Sequence, residues 1–341
     1  MKEQHLESWD LSDVYAKMRV STCNVTGWWD RLVGTADHYV GMVENGPQAL
    51  REQHRLIIGP WGHGPGRRVQ GPLDFGPDAE STYDEALARW YDHVLKSTDN
   101  GLADESPVKL FVVGEKTWRY EHEWPLARTR YTAFYLGSGG SANTPGGDGT
   151  LSRDRAGSGP PDEYDYDPRD PVMSLMDRDA QAGARDQGPL SRRRDILVYQ
   201  TPSLDDEMEV TGPVELKLWA SSSAPDTDFT AKLTDVHPDG LAVNLTYGIL
   251  RASYRNGVDK PSHIEPGRAY EFTVKLNPTG VLFGRGHRIR LDVSSSDFPN
   301  FDRNHNTGAD WWSDAELRTA HQTVFHDIQR PSRLVLPVIR R

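Results

Sequence analysis

The chain has 341 residues, 36% hydrophobic and 9% aromatic, enough for one large or two medium-sized domains and too apolar for a wholly disordered polypeptide. Its 39 Lys and Arg against 50 Asp and Glu leave a formal charge of −11, which argues against nucleic acid as a partner, because phosphate binding needs surplus cation. A single cysteine, Cys23, excludes an intrachain disulfide and a thiolate metal cluster.

Residues 20–25 read as a short strand that ends at Gly27. A helix follows over 31–42, where Leu32, Val33, Ala36, Tyr39 and Val40 recur at helical spacing. Arg55–Gly59 carries the Leu-Ile-Ile run typical of a strand buried on both faces. Beyond a loop rich in Gly and Pro, residues 84–96 predict a second helix with Leu87, Trp90, Tyr91, Val94 and Leu95 on one side. Residues 108–113 are a third strand. Strand–helix–strand–helix–strand predicts a parallel sheet with right-handed crossovers.

Near residue 128 the pattern changes, so one domain is expected over 1–127 and another over 128–341. From Tyr131 helical periodicity gives way to β-type runs at 131–136, 196–200, 214–220, 229–236, 242–247, 270–276, 287–293 and 333–338. Turn pairs such as Asp239-Gly240, Asn256-Gly257 and Pro266-Gly267 separate them. About eight short strands predict a sandwich or jelly roll. Residues 137–190, crowded with Gly, Pro, Ser and Asp, read as an extended connection with little regular structure.

The chemistry points to two strand ends. Gly27-Trp28-Trp29-Asp30 closes the first strand and Gly59-Pro60-Trp61-Gly62-His63-Gly64 the second. Parallel neighbours joined by a helix bring both carboxyl ends to one edge, where open α/β sheets bind ligands. Asp30 and His63 are therefore expected within hydrogen-bonding reach. The carboxylate would hold the imidazole tautomer and leave the other ring nitrogen as a general base. Taken singly, Asp30 reads as a helix N-cap and His63 as a loop histidine bonded to backbone. Taken together and in this order, they match the last two members of the Ser, Asp, His succession of α/β-hydrolases. The serine is missing. None of the serines, nor Cys23, has Gly two residues before and two after it, as a nucleophile elbow requires, and 29 residues before Asp30 cannot hold the preceding strands. The chain reads as the back half of a hydrolase.

At these residues the sequence resembles the family of cocaine esterase, α-amino-acid ester hydrolases, glutaryl acylases and bacterial X-Pro dipeptidyl-peptidases, from about residue 14 to residue 337. Gly27-Trp28-Trp29-Asp30 resembles the family's acid-bearing turn and Gly59-Pro60-Trp61-Gly62-His63 its His-bearing turn. Phe111-Val112-Val113-Gly114, Trp118 and Trp124-Pro125-Leu126 resemble the passage out of the catalytic domain. Later stretches carry the likeness further: 221–229 (Ser-Ser-Ser-Ala-Pro-Asp-Thr-Asp-Phe), 286–291 leading to 294–299, 301–304, and 306–308.

The resemblance implies an α/β plus all-β chain: 1–127 as the C-terminal part of an α/β-hydrolase catalytic domain, and 128–341 as a jelly-roll β-sandwich. It implies a serine hydrolase acting on small ester, amide or X-Pro peptide substrates through an acyl-enzyme, without metal or organic cofactor. His63 would be the general base and acid, and Asp30 its orienting partner. Leu32 would face the acyl pocket, and Trp28, Trp29 and Trp61 would line the cleft or pack the sheet edge. The nucleophile, the oxyanion donor and the helical cap have no counterpart here, so the N-terminal half is expected in cis or in trans. Exposed apolar edges would favour association, including homo-oligomers.

Other constellations are weaker. Asp226, Asp228, Asp235 and Asp239 lack the spacing of a calcium loop and read as turn-capping or solvated carboxylates. His321 and His326, five apart, read as structural. Apolar runs at 56–58 and 334–336 fall far short of the ~20 residues a membrane span needs, and residues 1–13 lack the apolar core of a signal peptide. A cytoplasmic location is expected. The alternative from another class is a non-catalytic β-sandwich binding protein with a vestigial hydrolase segment, since jelly rolls serve lectins as well as enzymes.

Overall fold

A computed structural model describes residues 11, 13–32, 34–64, 66–80, 83–155, 157–175, 183–309 and 313–340. The chain divides into two compact units that meet in sequence at Ala127 and Arg128. Among the described residues strands outnumber helices over the chain as a whole, and no helix is long and apolar enough to cross a membrane.

The first unit holds a four-stranded sheet and two α-helices. Its strands are β1 (Cys23–Gly27), β2 (Arg55–Gly59), β5 (Val108–Val112) and β6 (Thr117–Glu121), with a small ribbon of β3 (Val69–Gln70) and β4 (Leu73–Asp74) between. The sheet order is β1-β2-β5-β6. β1, β2 and β5 run parallel, and β6 turns back antiparallel. Helix α1 (Gly34–Asn45) connects β1 to β2, and α2 (Tyr83–Lys96) lies between β2 and β5. Parallel strands need such crossovers, and β2 and β5 are apolar because both faces are covered: Leu56, Ile58, Val108, Leu110 and Phe111 are buried. β1 starts three residues later than expected and ends at Gly27, as expected. α1 begins at Gly34 rather than at residue 31, because the chain first makes a turn after Asp30. In α2, Asp84 and Glu85 in the first turn and Lys96 in the last suit the helix dipole. Of its apolar side only Trp90 is buried, while Tyr91 and Leu95 are exposed.

The second unit is built from strands β7 (Thr129–Gly137), β8 (Thr150–Ser152), β9 (Asp162–Tyr166), β10 (Leu197–Gln200), β11 (Met208–Ser222) and β12 (Asp228–Val236). It continues through β13 (Ala242–Arg251), β14 (Tyr270–Phe283), β15 (Arg288–Ser294), β16 (Ala320–Phe325) and β17 (Arg333–Ile339). They form one hydrogen-bonded path in the order β13-β12-β15-β10-β8-β7-β17-β11-β16-β9, with β14 added on β11. This strand-rich unit fits a jelly roll. Alternating burial along β9 and β17 marks strands with one face inward. Phe229, Phe272, Leu216, Leu218, Leu291 and Leu334 are fully buried, and each such side chain contributes about 1.5–3 kcal/mol over remaining exposed.

The expected irregular connection over 137–190 is corrected here, because it contains β8 and β9. β6 and β16 were not expected either. Both are polar strands, Thr-Trp-Arg-Tyr-Glu and Ala-His-Gln-Thr-Val-Phe, whose pairing partners supply the order their composition does not suggest.

Candidate active site

The two strand-end turns of the first unit approach each other closely. Gly27 and Gly59 are Cα partners at the last position of the β1–β2 ladder. Past them, the Trp28 N–H donates to the Gly59 carbonyl at 3.0 Å and the Trp29 N–H to the Trp61 carbonyl at 3.0 Å. The Asp30 N–H returns to the Gly27 carbonyl at 3.0 Å, which closes a tight turn and aims the carboxylate out of the sheet end. The second turn runs two residues further than Trp61 and delivers His63 to the same place. His63 Nδ1 lies 3.0 Å from Asp30 Oδ1. A carboxylate oxygen only accepts, so Nδ1 carries the proton and Nε2 is left as an acceptor.

The two side chains differ in exposure. The Asp30 side chain is 9% exposed, and that of His63 is 47% exposed. Oδ1 of Asp30 also accepts the Leu32 N–H at 3.0 Å, so the carboxylate is held from two directions. Asp30 does not cap α1, which begins four residues later; its local role is this short turn. Leu32 itself is 56% exposed.

The three tryptophans of these turns are buried. Trp28 donates from Nε1 to the Phe111 carbonyl at 2.7 Å, and Trp61 from Nε1 to the Ala79 carbonyl at 2.9 Å. Trp29 stacks on Phe75 with ring centroids 5.7 Å apart. Indoles with their polar atom satisfied inside the unit set the two turns in place.

In the second unit lies a Ser/His/Asp cluster that is not a relay. Ser138 Oγ donates to Asp162 Oδ2 at 2.7 Å and lies 3.0 Å from His326 Nε2, and that same nitrogen is 3.1 Å from the same Asp162 oxygen. A catalytic histidine needs its acid and its nucleophile on opposite ring nitrogens. Asp162 and His326 are also buried. The Asp162 carboxylate further accepts the Tyr199 hydroxyl and the Ala142 N–H, each at 2.9 Å. Burial alone would raise its pKa; the four hydrogen bonds outweigh burial and hold it below the usual carboxylate range.

The remaining acidic and histidine residues disperse. Asp226 accepts the Ser253 N–H, Asp228 pairs with Arg251, and Asp239 caps its own turn through the Leu241 N–H. Asp226 and Asp228 are buried rather than solvated, because a polar partner meets each inside the sandwich. Asp235 instead faces His287 and His237. The sequence reading missed this grouping; Asp-x-His at 235–237 at a strand end was its one local signal. His321 pairs with Asp165 at 2.9 Å on the surface, and the hydrogen bond to that carboxylate raises its pKa.

Residues 100–335 match the family model described as the X-Pro dipeptidyl-peptidase C-terminal non-catalytic domain. The chain is 40% identical to the cocaine esterase of Rhodococcus sp. (strain MB1 Bresler), over 98% of this chain and 60% of that protein. Among solved structures, an α-amino acid ester hydrolase superposes with a TM-score of 0.86 at 26% identity, over 98% of this chain and 58% of its own. An aminopeptidase from a marine-sediment Thaumarchaeota archaeon gives a TM-score of 0.85 at 26% identity, with the same coverage of 98% and 58%. The chain thus spans about 60% of the length of the cocaine esterase it matches.

Proposed function

The chain belongs to the family of cocaine esterase and the X-Pro dipeptidyl-peptidases, and on that footing we propose that it is the C-terminal portion of a serine hydrolase. Its substrates are small esters, amides or X-Pro peptides, cleaved through an acyl-enzyme. The first unit is the closing part of an α/β-hydrolase sheet, and the second is the jelly roll that follows it. The nucleophile comes from polypeptide outside these 341 residues, in cis or in trans.

The observation that carries the reading is the 3.0 Å pairing of His63 and Asp30 at the carboxyl ends of adjacent parallel strands. His63 Nε2 takes the proton from the serine as it attacks the substrate carbonyl, then returns it to the leaving alcohol or amine. Asp30 fixes the tautomer and stabilises the imidazolium. Leu32, on the exposed side of the acid-bearing turn, faces the acyl group. Trp28, Trp29 and Trp61 act by holding the turns, which the burial of all three and the satisfied indole N–H groups of Trp28 and Trp61 support.

The test is made on the completed enzyme, with p-nitrophenyl ester and Xaa-Pro anilide substrates. Asp30→Asn is expected to lower kcat by about 10⁴ through loss of the correct tautomer, and His63→Ala by at least as much. Turnover that survives both substitutions would falsify the assignment and leave the chain as a binding module.

A further inference from the structure

We propose that Asp235, His237 and His287 in the second unit form a binding site for a divalent transition-metal ion of the zinc class. Strand register brings the three together. β12 and β15 pair Asp235 with Ile289 and Val236 with Arg288, so the next step of the same ladder sets His237 opposite His287. Asp235 is the second-last residue of β12 and His237 the first residue past its end, two positions on. One donor atom from each of the three residues lies within 4.8 Å of the others.

The distances suit a metal. Zinc bound at about 2.0–2.1 Å in tetrahedral geometry sets its ligand atoms about 3.3–3.4 Å apart. His287 Nδ1 lies 2.8 Å from Asp235 Oδ1 and His237 Nε2 lies 3.5 Å from Asp235 Oδ2, so each imidazole stands near that spacing from its own carboxylate oxygen. The imidazole rings stand 4.5 Å apart, one to each carboxylate oxygen. Small side-chain rotations are enough to converge them.

The backbone under the ligands is fixed. The His237 N–H donates to the Leu241 carbonyl at 2.8 Å, and the His237 carbonyl accepts from Gly240 at 3.0 Å, which closes the β12–β13 turn. The His287 N–H donates to Gly284 at 3.1 Å and its carbonyl accepts from Leu204 at 2.8 Å. The Asp235 side chain is 9% exposed and the two imidazoles 27% and 20%, so the cluster is mostly shielded yet reachable from solvent. Two imidazoles and one carboxylate, without thiolate, favour Zn²⁺, Co²⁺ or Ni²⁺ over Ca²⁺ or Mg²⁺. Three protein ligands leave a fourth position for water. The ion would clip the end of β12 to the turn that enters β15.

The experiment uses the full chain, stripped with chelator and titrated with ZnCl₂ by calorimetry, and with CoCl₂ followed by visible absorption. One equivalent is expected to bind, to raise Tm, and to give the cobalt spectrum of a tetrahedral nitrogen–oxygen site. His237→Gln or His287→Gln should weaken binding by about tenfold or more, and the double variant should abolish it. His321→Gln, which alters the surface histidine beside Asp165, should leave it unchanged. Asp235→Asn, close to isosteric, serves as the deciding variant if a histidine substitution fails to fold. No zinc binding, or one equivalent still bound by both the double variant and Asp235→Asn, overturns the proposal.

Discussion

Replacing Gly27 by Ala should break the first unit at the point where its two strand-end turns touch. A methyl carbon at Gly27 would lie 2.6 Å from the Trp61 carbonyl carbon and 3.0 Å from the Trp61 Cα, with the carbonyl oxygen nearer still. Carbon atoms rest at about 3.5–4.0 Å, so the backbone at Trp61 must retreat by about 1 Å. It is poorly placed to do so. The Trp61 carbonyl holds the Trp29 N–H at 3.0 Å, and its indole is buried with Nε1 bonded to Ala79. Overpacking of this kind costs about 1–3 kcal/mol, and each kcal/mol lowers Tm by roughly 4 °C in a unit of this size. Asp30 lies three residues past Gly27 and His63 two past Trp61, so the same shift lengthens their 3.0 Å contact toward a distance that is no longer a hydrogen bond. In the completed enzyme a 1 Å misplacement is expected to lower turnover about 10²-fold. Thermal unfolding by tryptophan fluorescence checks the first effect, and ester hydrolysis the second. Gly34→Ala is the control, since nothing lies within 4 Å of its added carbon. If the Gly27 and Gly34 variants melt alike, close backbone approach does not set the geometry of these turns, and the reasoning fails.

Two further outcomes follow from buried polar groups. Asp162→Ala removes the acceptor of His326, Ser138, Tyr199 and the Ala142 N–H at once, and should destabilise the second unit by at least about 3 kcal/mol in urea unfolding. Because the folded pKa of Asp162 is held low, its contribution is present above the unfolded value of about 3.9 and is lost only as pH falls through the folded value; the deficit should therefore be constant between pH 8 and 5. His54 is fully buried, with Nδ1 3.2 Å from the Thr22 N–H, and burial, then the charges of His38 and Arg55, push its pKa down. Its stabilisation is complete above the unfolded value of about 6.5 and is lost as pH falls through the lower folded value, so the first unit's Tm should drop from pH 7 to 5 and His54→Asn should shrink that slope. An unchanged slope in the variant would show that His54 does not set the pH dependence of the first unit.

What could be read from the sequence follows the range of the interactions. β2 is legible because Leu-Ile-Ile is apolar on both faces, and the turn at 27–30 because glycine, two tryptophans and an acid stand in one short stretch. β9 is not. Its inward positions are Asp162, Tyr164 and Tyr166, in a segment that is otherwise acidic and flanked by Pro. An inward Asp looks like a loop residue until its partner His326 is found 164 positions away. β16 hides for the same reason: its ladder runs to β9 on one side and to the far end of β11 on the other. The Asp235 grouping needs the register of β12 on β15, which no local window contains.

Among the described residues, the pairs Asp30–His63 and Asp162–His326 have nearly equal hydrogen bonds, 3.0 Å and 3.1 Å, and very different surroundings. His326 is buried, and its one bonded nitrogen is shared between Ser138 and Asp162, so a proton taken there has nowhere to go. His63 gives one nitrogen to a shielded carboxylate and keeps nearly half of its side chain in the open. The sandwich uses its pair to tie β9 to the end of β16, where rigidity is the benefit. At the sheet end the His63 ring stays open to solvent, as the proposed general base requires. Residue identity and spacing nominate only Asp30 with His63, and it is access to the free ring nitrogen that sets this pair apart from Asp162–His326 and on which its proposed role rests.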